Sequence, residues 1–138
     1  MIGKKITELS VGDFKEYVKV ITERDVELFG EVTGDMNPAH FDEEYASKTM
    51  FKKRIAHGML CGSLFSTVIG TELPGYGTIY MKQDLKFTAP VYFGDTLTAR
   101  VEVVEINQEK NRVVLLTETK NQDDKVVITG QALVMPPR

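Results

Sequence analysis

One segment, from His57 to about Thr71, restricts the fold of this chain more than any other. Its apolar residues recur at helical spacing but are distributed around the axis: Met59, Leu60, Cys61, Leu64, Phe65, Val68 and Ile69. A helix of this kind is buried on most of its sides. In a chain of 138 residues, only a curved sheet can enclose a helix so fully. The sequence therefore predicts a central helix wrapped by a β-sheet.

The strands of this sheet are indicated by stretches in which apolar and polar residues alternate. A first strand is predicted from Phe14 to Ile21, ahead of a helix that begins with a capping box at Thr22 and ends at Gly34. After the central helix, four strands are predicted at 79–87, 97–103, 112–120 and 126–135. We expect strand 79–87 to be half-buried and the four strands to form a meander. This order predicts an α+β fold in one domain spanning residues 1–138.

Composition narrows the class of protein. With 42% hydrophobic and 27% charged residues the chain is expected to be globular, and a net charge of −3 gives no general attraction to nucleic acid or anionic membranes. The single cysteine, Cys61, excludes a disulfide framework and is expected to be a buried thiol. No apolar run approaches the roughly 20 residues that span a bilayer, and the first residues do not resemble a secretory signal. We therefore expect a cytoplasmic protein.

The loop Thr33–His40 carries the residues best suited to chemistry. Gly34, Asn37 and Pro38 exclude regular structure there, and Asp35 and His40 lie five residues apart on this kinked segment. A carboxylate and a neutral imidazole that share one water molecule can remove one proton and supply another, which hydration of a double bond requires. Alternatively, Asp35 or Asn37 only stabilises a turn and His40 only caps the next element.

A second candidate is Gly58, at the expected start of the central helix. Its free N–H group, with the partial positive charge of a helix N-terminus, can stabilise an oxyanion. His57, just before it, is interpreted as a helix cap. A metal site formed by Asp35, His40 and His57 is conceivable, but the chain lacks a recognisable ligand spacing and we predict no metal.

Three segments together resemble one family. They are Phe29–His40 followed by Ala46, Ala56–Met59 and Phe87–Val91, and they are similar to segments of the MaoC-like, or (R)-specific, enoyl-CoA hydratases. Ala39 stands where that signature more often has a branched residue. The resemblance implies a hot-dog fold, in which an antiparallel sheet wraps a long helix. It also implies reversible hydration of trans-2-enoyl-CoA to (R)-3-hydroxyacyl-CoA without a metal or redox cofactor.

Carried over by motif, the resemblance makes Asp35 and His40 the catalytic pair and Gly58 the oxyanion donor. Asn37 is expected to support the substrate site, Ser66 to face the same pocket, and Ile69 and Val134 to line the acyl channel. The coenzyme A phosphates have candidate cations at 52–54, Lys82 and Lys86. The family also implies a homodimer, which would cover an edge strand.

Two other functions remain open at this stage. A hot-dog acyl-CoA thioesterase would share the fold and the ligand class but direct water to the carbonyl carbon. A non-catalytic acyl-CoA-binding module would use the loop 33–40 only as structure. A serine hydrolase is less compatible, because Gly62-Ser63 lacks the G-x-S-x-G pattern.

Overall fold

A computed structural model describes residues 2–138 and contains one six-stranded antiparallel sheet. Its strands are β1 (Phe14–Val20), β2 (Ile79–Gln83), β3 (Lys86–Phe87), β4 (Thr96–Asn107), β5 (Arg112–Lys120) and β6 (Val126–Met135). The helices are α1 (Glu23–Thr33), α2 (Pro38–Phe41), α3 (Glu43–Ser47), α4 (Gly58–Gly62) and α5 (Leu64–Thr71), and a short 3₁₀ turn spans Ile6–Glu8. The predicted α+β class, with a sheet wrapped around helix, is confirmed.

The start and end of α1 follow the predicted chemistry. Thr22 accepts a hydrogen bond from the Asp25 amide at 3.1 Å, and the Asp25 carboxylate accepts one from the Thr22 amide at 2.9 Å. Gly34 ends the helix in the left-handed region, at φ +80°, where glycine has no steric penalty. The chain can therefore reverse direction immediately before Asp35.

The predicted meander is wrong for one strand. The order across the sheet is β1-β4-β5-β6-β2, so β4, β5 and β6 form a meander but β2 pairs with β6, the last strand. β1 pairs with β4 at the other side. The central helix carries the chain across the sheet before β2 begins, so β2 joins the far edge of the sheet instead of preceding β4.

The central helix is nearly continuous. α4 and α5 are separated only by Ser63, which keeps a right-handed helical conformation. Its inner side packs into the core with buried residues from the sheet, among them Phe65, Val68 and Ile69 from the helix and Leu97, Val101 and Leu115 from the strands. Met59 departs from the prediction, because 59% of its surface is exposed. The helix is therefore buried along α5 but open at its beginning.

Strand 79–87 is also not half-buried. It is interrupted at Asp84 and Leu85, and most of its side chains are exposed, including Ile79, Met81 and Phe87. The Asp84 carboxylate accepts a hydrogen bond from the Gln131 amide at 3.1 Å, so a side chain replaces part of the backbone ladder at this break. Alternation of residue types predicts a strand, but it does not show whether protein covers its apolar side.

None of the helices within residues 2–138 is both long enough and apolar enough to cross a bilayer.

Candidate active site

A cavity of about 520 Å³ lies where three segments of the chain meet. The loop after α1 supplies Asp35, α2 supplies His40, and the start of α4 supplies His57 and Gly58. The rest of the lining is mainly apolar: Met50, Phe51, Ile55, Ala56, Met59, Cys61, Phe87, Thr88, Ala89, Pro90, Val91 and Ile128. The structure therefore brings the three predicted catalytic groups, Asp35, His40 and Gly58, to one apolar cavity.

Local hydrogen bonds fix the loop that carries Asp35. The Asp35 amide donates to the Thr33 hydroxyl at 3.2 Å, and the Asn37 amide donates to the Asp35 carboxylate at 3.3 Å. Asn37 in turn caps α2, because its side-chain oxygen accepts from the Ala39 amide at 3.0 Å. Pro38 occupies the first turn of α2, where its missing N–H has no consequence. Asp35 and His40 therefore stand on either side of a short, well-capped turn.

His40 is buried and has a defined tautomer. Its Nδ1 lies 2.7 Å from the Ile55 carbonyl oxygen. A carbonyl only accepts hydrogen bonds, so Nδ1 carries the proton and, in the neutral ring, Nε2 keeps a lone pair. Arg54 holds the same residue from the backbone side, since its Nε donates to the His40 carbonyl at 2.8 Å. The ring thus presents a proton acceptor.

Burial lowers the pKa of His40 below its ordinary value of 6.5, and the nearby His57 acts in the same direction. The Ile55 carbonyl and Asp35 oppose this change without reversing it. The neutral, proton-accepting ring is therefore the form present at neutral pH.

His57 contacts both Asp35 and His40, although the sequence suggests only a helix cap. It occupies the N-cap position of α4, but its side chain makes no capping hydrogen bond. Its Nε2 lies 2.9 Å from the Asp35 carbonyl oxygen, and its ring centroid lies 4.0 Å from that of His40. His57 is therefore a cap by position, as predicted, but its ring makes no capping hydrogen bond and instead contacts the Asp35 carbonyl and the His40 ring.

Gly58 is the first residue of α4, where amide groups have no acceptor within the helix. No backbone carbonyl in residues 2–138 accepts from its N–H. A methyl group at this position would lie 2.8 Å from the Phe87 ring, so only glycine lets the ring lie so close. The amide thus remains available at the cavity wall.

The other predicted positions lie outside the cavity lining. Asn37 is a helix cap, Ser66 is exposed on α5, and Ile69 and Val134 are fully buried in the core. Their roles in substrate binding stay predictions. Arg54, one of the candidate cations for phosphate, forms an ion pair with Glu23 at 2.8 Å, and its side chain is only 12% exposed.

Sequence reasoning missed most of the apolar lining. The segment 87–91 resembles the family, but the resemblance gives it no role. Phe87, Ala89, Pro90 and Val91 all line the cavity. Its proximity to Gly58 arises from the pairing of β3 with β6, which local sequence does not encode. Met50 and Phe51 come from a connector without regular structure, so no periodic pattern could mark them.

Two other kinds of chemistry, metal binding and a cysteine nucleophile, would use residues of this site. Asp35, His40 and His57 offer ligand atoms within 4.8 Å of one another, and they are the residues that would hold a metal ion. Each histidine places one nitrogen on a backbone carbonyl, which leaves its other nitrogen to act as a ligand atom or a proton acceptor. Cys61 also lines the cavity, but burial raises the pKa of its thiol to about 12, so it is not a thiolate nucleophile.

Comparison with known proteins gives the family. A model described as the MaoC like domain matches residues 12–126. The (R)-specific enoyl-CoA hydratase of Rhodospirillum rubrum is 48% identical over 94% of this chain and 90% of its own length. The 3-hydroxybutyryl-CoA dehydratase of Methylorubrum extorquens is 44% identical over 95% of this chain and 83% of its own.

A solved structure agrees with the sequence matches. The unliganded R-hydratase PhaJ1 from Pseudomonas aeruginosa superposes with a TM-score of 0.93 at 50% identity, over 99% of this chain and 87% of that one. The chain belongs to the MaoC-like family and has its hot-dog fold.

Proposed function

We propose that this protein is an (R)-specific enoyl-CoA hydratase, a hydro-lyase that reversibly adds water to trans-2-enoyl-CoA to give (R)-3-hydroxyacyl-CoA. The observation that carries the proposal is the convergence of Asp35, His40 and Gly58 on one apolar cavity in a chain of this family. Names of its relatives support the same reaction: an (R)-specific enoyl-CoA hydratase and a 3-hydroxybutyryl-CoA dehydratase.

Asp35 and His40 act on one water molecule. The Asp35 carboxylate and a ring nitrogen of His40 lie within 4.8 Å of each other. One water molecule spans this separation with two hydrogen bonds of about 2.8 Å. Both groups accept protons, because Nδ1–H of His40 is bonded to Ile55 and Nε2 keeps its lone pair. The water oxygen is thereby directed at C3 of the substrate.

The thioester carbonyl accepts a hydrogen bond from the Gly58 amide. This draws electron density from C3, and it stabilises the enolate that forms when the water oxygen bonds to C3. One acceptor of the pair takes the water proton and delivers it to C2, so the oxygen and the proton of one water end on neighbouring carbons. Because both groups act on the same water molecule, both additions occur on one face of the double bond, which makes the product a single enantiomer.

Side-chain and backbone groups suffice for each of these steps, so the proposal includes no cofactor. Coenzyme A enters only as part of the substrate. A cytoplasmic location is also proposed, since Cys61 is a free buried thiol in a chain that relies on no disulfide.

The proposal includes a homodimer. Ile79, Met81 and Phe87 are 56%, 44% and 49% exposed on the open edge of the sheet at β2 and β3. An edge strand with apolar side chains pairs readily with another chain, and a second copy would both extend the sheet and cover these residues. In solution the particle should have twice the 15.5 kDa mass of the chain.

The test is an absorbance assay with a series of trans-2-enoyl-CoA substrates, together with a thiol reagent and chiral analysis of the product. We expect loss of the enoyl absorbance, an (R)-3-hydroxyacyl product, no thiol release and the same rate in a chelator. Thiol release would instead support a thioesterase. Binding of crotonyl-CoA without any turnover would support a non-catalytic module, and either result would contradict the proposal.

A further inference from the structure

We infer that His57 is a positioning residue that holds Asp35 and His40 in their catalytic arrangement and sets their distance from the Gly58 amide. The inference rests on the proposed hydratase function and extends it to a residue that does not touch the reacting atoms. It is carried by two contacts of one buried side chain and by the covalent link from His57 to Gly58.

The first contact is with the backbone of Asp35. His57 Nε2 lies 2.9 Å from the Asp35 carbonyl oxygen, 22 residues away in sequence. The carbonyl can only accept, so Nε2 is the donor. This hydrogen bond fixes the peptide between Asp35 and Met36, and with it the direction in which the Asp35 side chain leaves the loop. Loop hydrogen bonds at Thr33 and Asn37 are local, whereas His57 ties the loop to the central helix.

The second contact is with the ring of His40. The centroids of the two imidazole rings lie 4.0 Å apart, and the ring planes make an angle of 32°. The rings of Phe29 and Phe41 also pack against His57, with centroid distances of 4.7 Å and 5.6 Å. His57 is only 2% exposed, so this stack is closely packed. The His40 ring is therefore fixed by Ile55 at its edge and by His57 at its face.

The third link is covalent, since the residue after His57 is Gly58. A ring locked between Phe29, Phe41 and His40 fixes the backbone from which the Gly58 amide extends. One side chain thus links the carboxylate, the imidazole and the amide, which come from three separate segments.

The remaining nitrogen of His57 supports a role beyond packing. Nδ1 is buried and has no hydrogen-bond partner within residues 2–138. A buried nitrogen without a partner is unfavourable, and an apolar ring such as phenylalanine would avoid that loss. The presence of a histidine at this position is explained by its other nitrogen, the donor to the Asp35 carbonyl.

The experiment compares His57→Phe with His57→Gln in the hydratase assay. Phenylalanine keeps the aromatic stack but removes the donor, whereas the glutamine amide can replace the Nε2 donor at a similar reach. We expect His57→Phe to lower kcat by 10- to 100-fold with KM changed less than threefold. We expect His57→Gln to retain kcat within about fivefold of the unmodified protein.

A pH profile gives a readout that a purely structural role would not change. The charged and titratable groups around His40 are Asp35 on the loop, His57 at the start of α4 and the Arg54 guanidinium at the His40 carbonyl. His57 lowers the pKa of His40, so both variants, which lack this ring, should move the acid limb of kcat/KM to higher pH. If His57→Phe fails to fold, the tautomer of His57 in the unmodified protein still tests the contact with Asp35.

Nitrogen-15 NMR of the unmodified protein tests the geometry without any substrate. The two rings should be opposite tautomers, with the proton on Nδ1 in His40 and on Nε2 in His57. Equal kcat and an unchanged acid limb in both folded variants, or a His57 proton on Nδ1, would overturn the inference. Inactivity of the unmodified protein would instead contradict the proposed function, and the tautomers would remain a separate test of the contact with Asp35.

Discussion

The core beneath the sheet and the candidate active-site cluster at the start of the central helix are held together in different ways. In the core, residues such as Val101, Leu115 and Phe65 are fully buried, and each touches many apolar neighbours. In the cluster, Asp35, His40 and His57 are each fixed by a few directed hydrogen bonds and ring contacts. Substitutions in the core should therefore change the free energy of unfolding, whereas substitutions in the cluster should change the rate of the reaction.

The largest expected effect comes from the proposed catalytic pair, Asp35 and His40. Asp35→Asn and His40→Gln should each lower kcat by about 10²- to 10⁴-fold, because each removes a proton acceptor for the water. The melting temperature should change little for Asp35→Asn, since Asp35 is exposed.

The matched control is Asp42→Asn. Asp42 caps α3 through the Tyr45 amide at 3.0 Å, and it lies outside the cavity lining. Asparagine caps helices about as well as aspartate, so activity should be retained. Near-normal turnover in both catalytic variants would contradict the assignment of the pair.

A core substitution should show the opposite behaviour. Leu115 in β5 is fully buried, so Leu115→Ala should lower the free energy of unfolding by about 2–5 kcal/mol through lost burial and a remaining cavity. Denaturant unfolding measures this change. At a temperature where the variant is folded, kcat should lie close to that of the unmodified protein. A large loss of kcat there would show that core and cluster are coupled.

The smallest effect is a gradual dependence on pH. Burial lowers the pKa of His40 below its ordinary 6.5, so its lone pair persists as the pH falls through that value. We expect kcat/KM to stay level from neutral pH to below 6.5, and to decline at more acid pH as the ring takes up a proton. A decline that begins above 6.5 would show that another group, or a charged His40, controls activity.

Local sequence was sufficient for the elements whose signals are local. The capping box at Thr22 and the bounds of β5 and β6 agree with prediction, because alternation there reflects a sheet with one buried face. The pairing of β2 with β6 could not be predicted, because alternation defines a strand but not its neighbour.

The site shows the same division. The motif places Asp35 and His40 on a turn, and both line the cavity as expected. The contacts of His57 and Arg54 could not be predicted, because they depend on partners 22 and 14 residues away whose positions are set by tertiary packing. The sequence shows that position 57 is a histidine, but only the fold shows which groups its ring contacts.

Phe87 lies against Gly58, at the point where the open sheet edge borders the candidate active-site cavity. A methyl group at position 58 would have to displace that ring, so the sizes of these two residues constrain each other. Across relatives, a larger side chain at one position should accompany a smaller one at the other. Covariation between position 58 at the helix start and position 87 in β3 would then show how much space the proposed site for the thioester carbonyl requires.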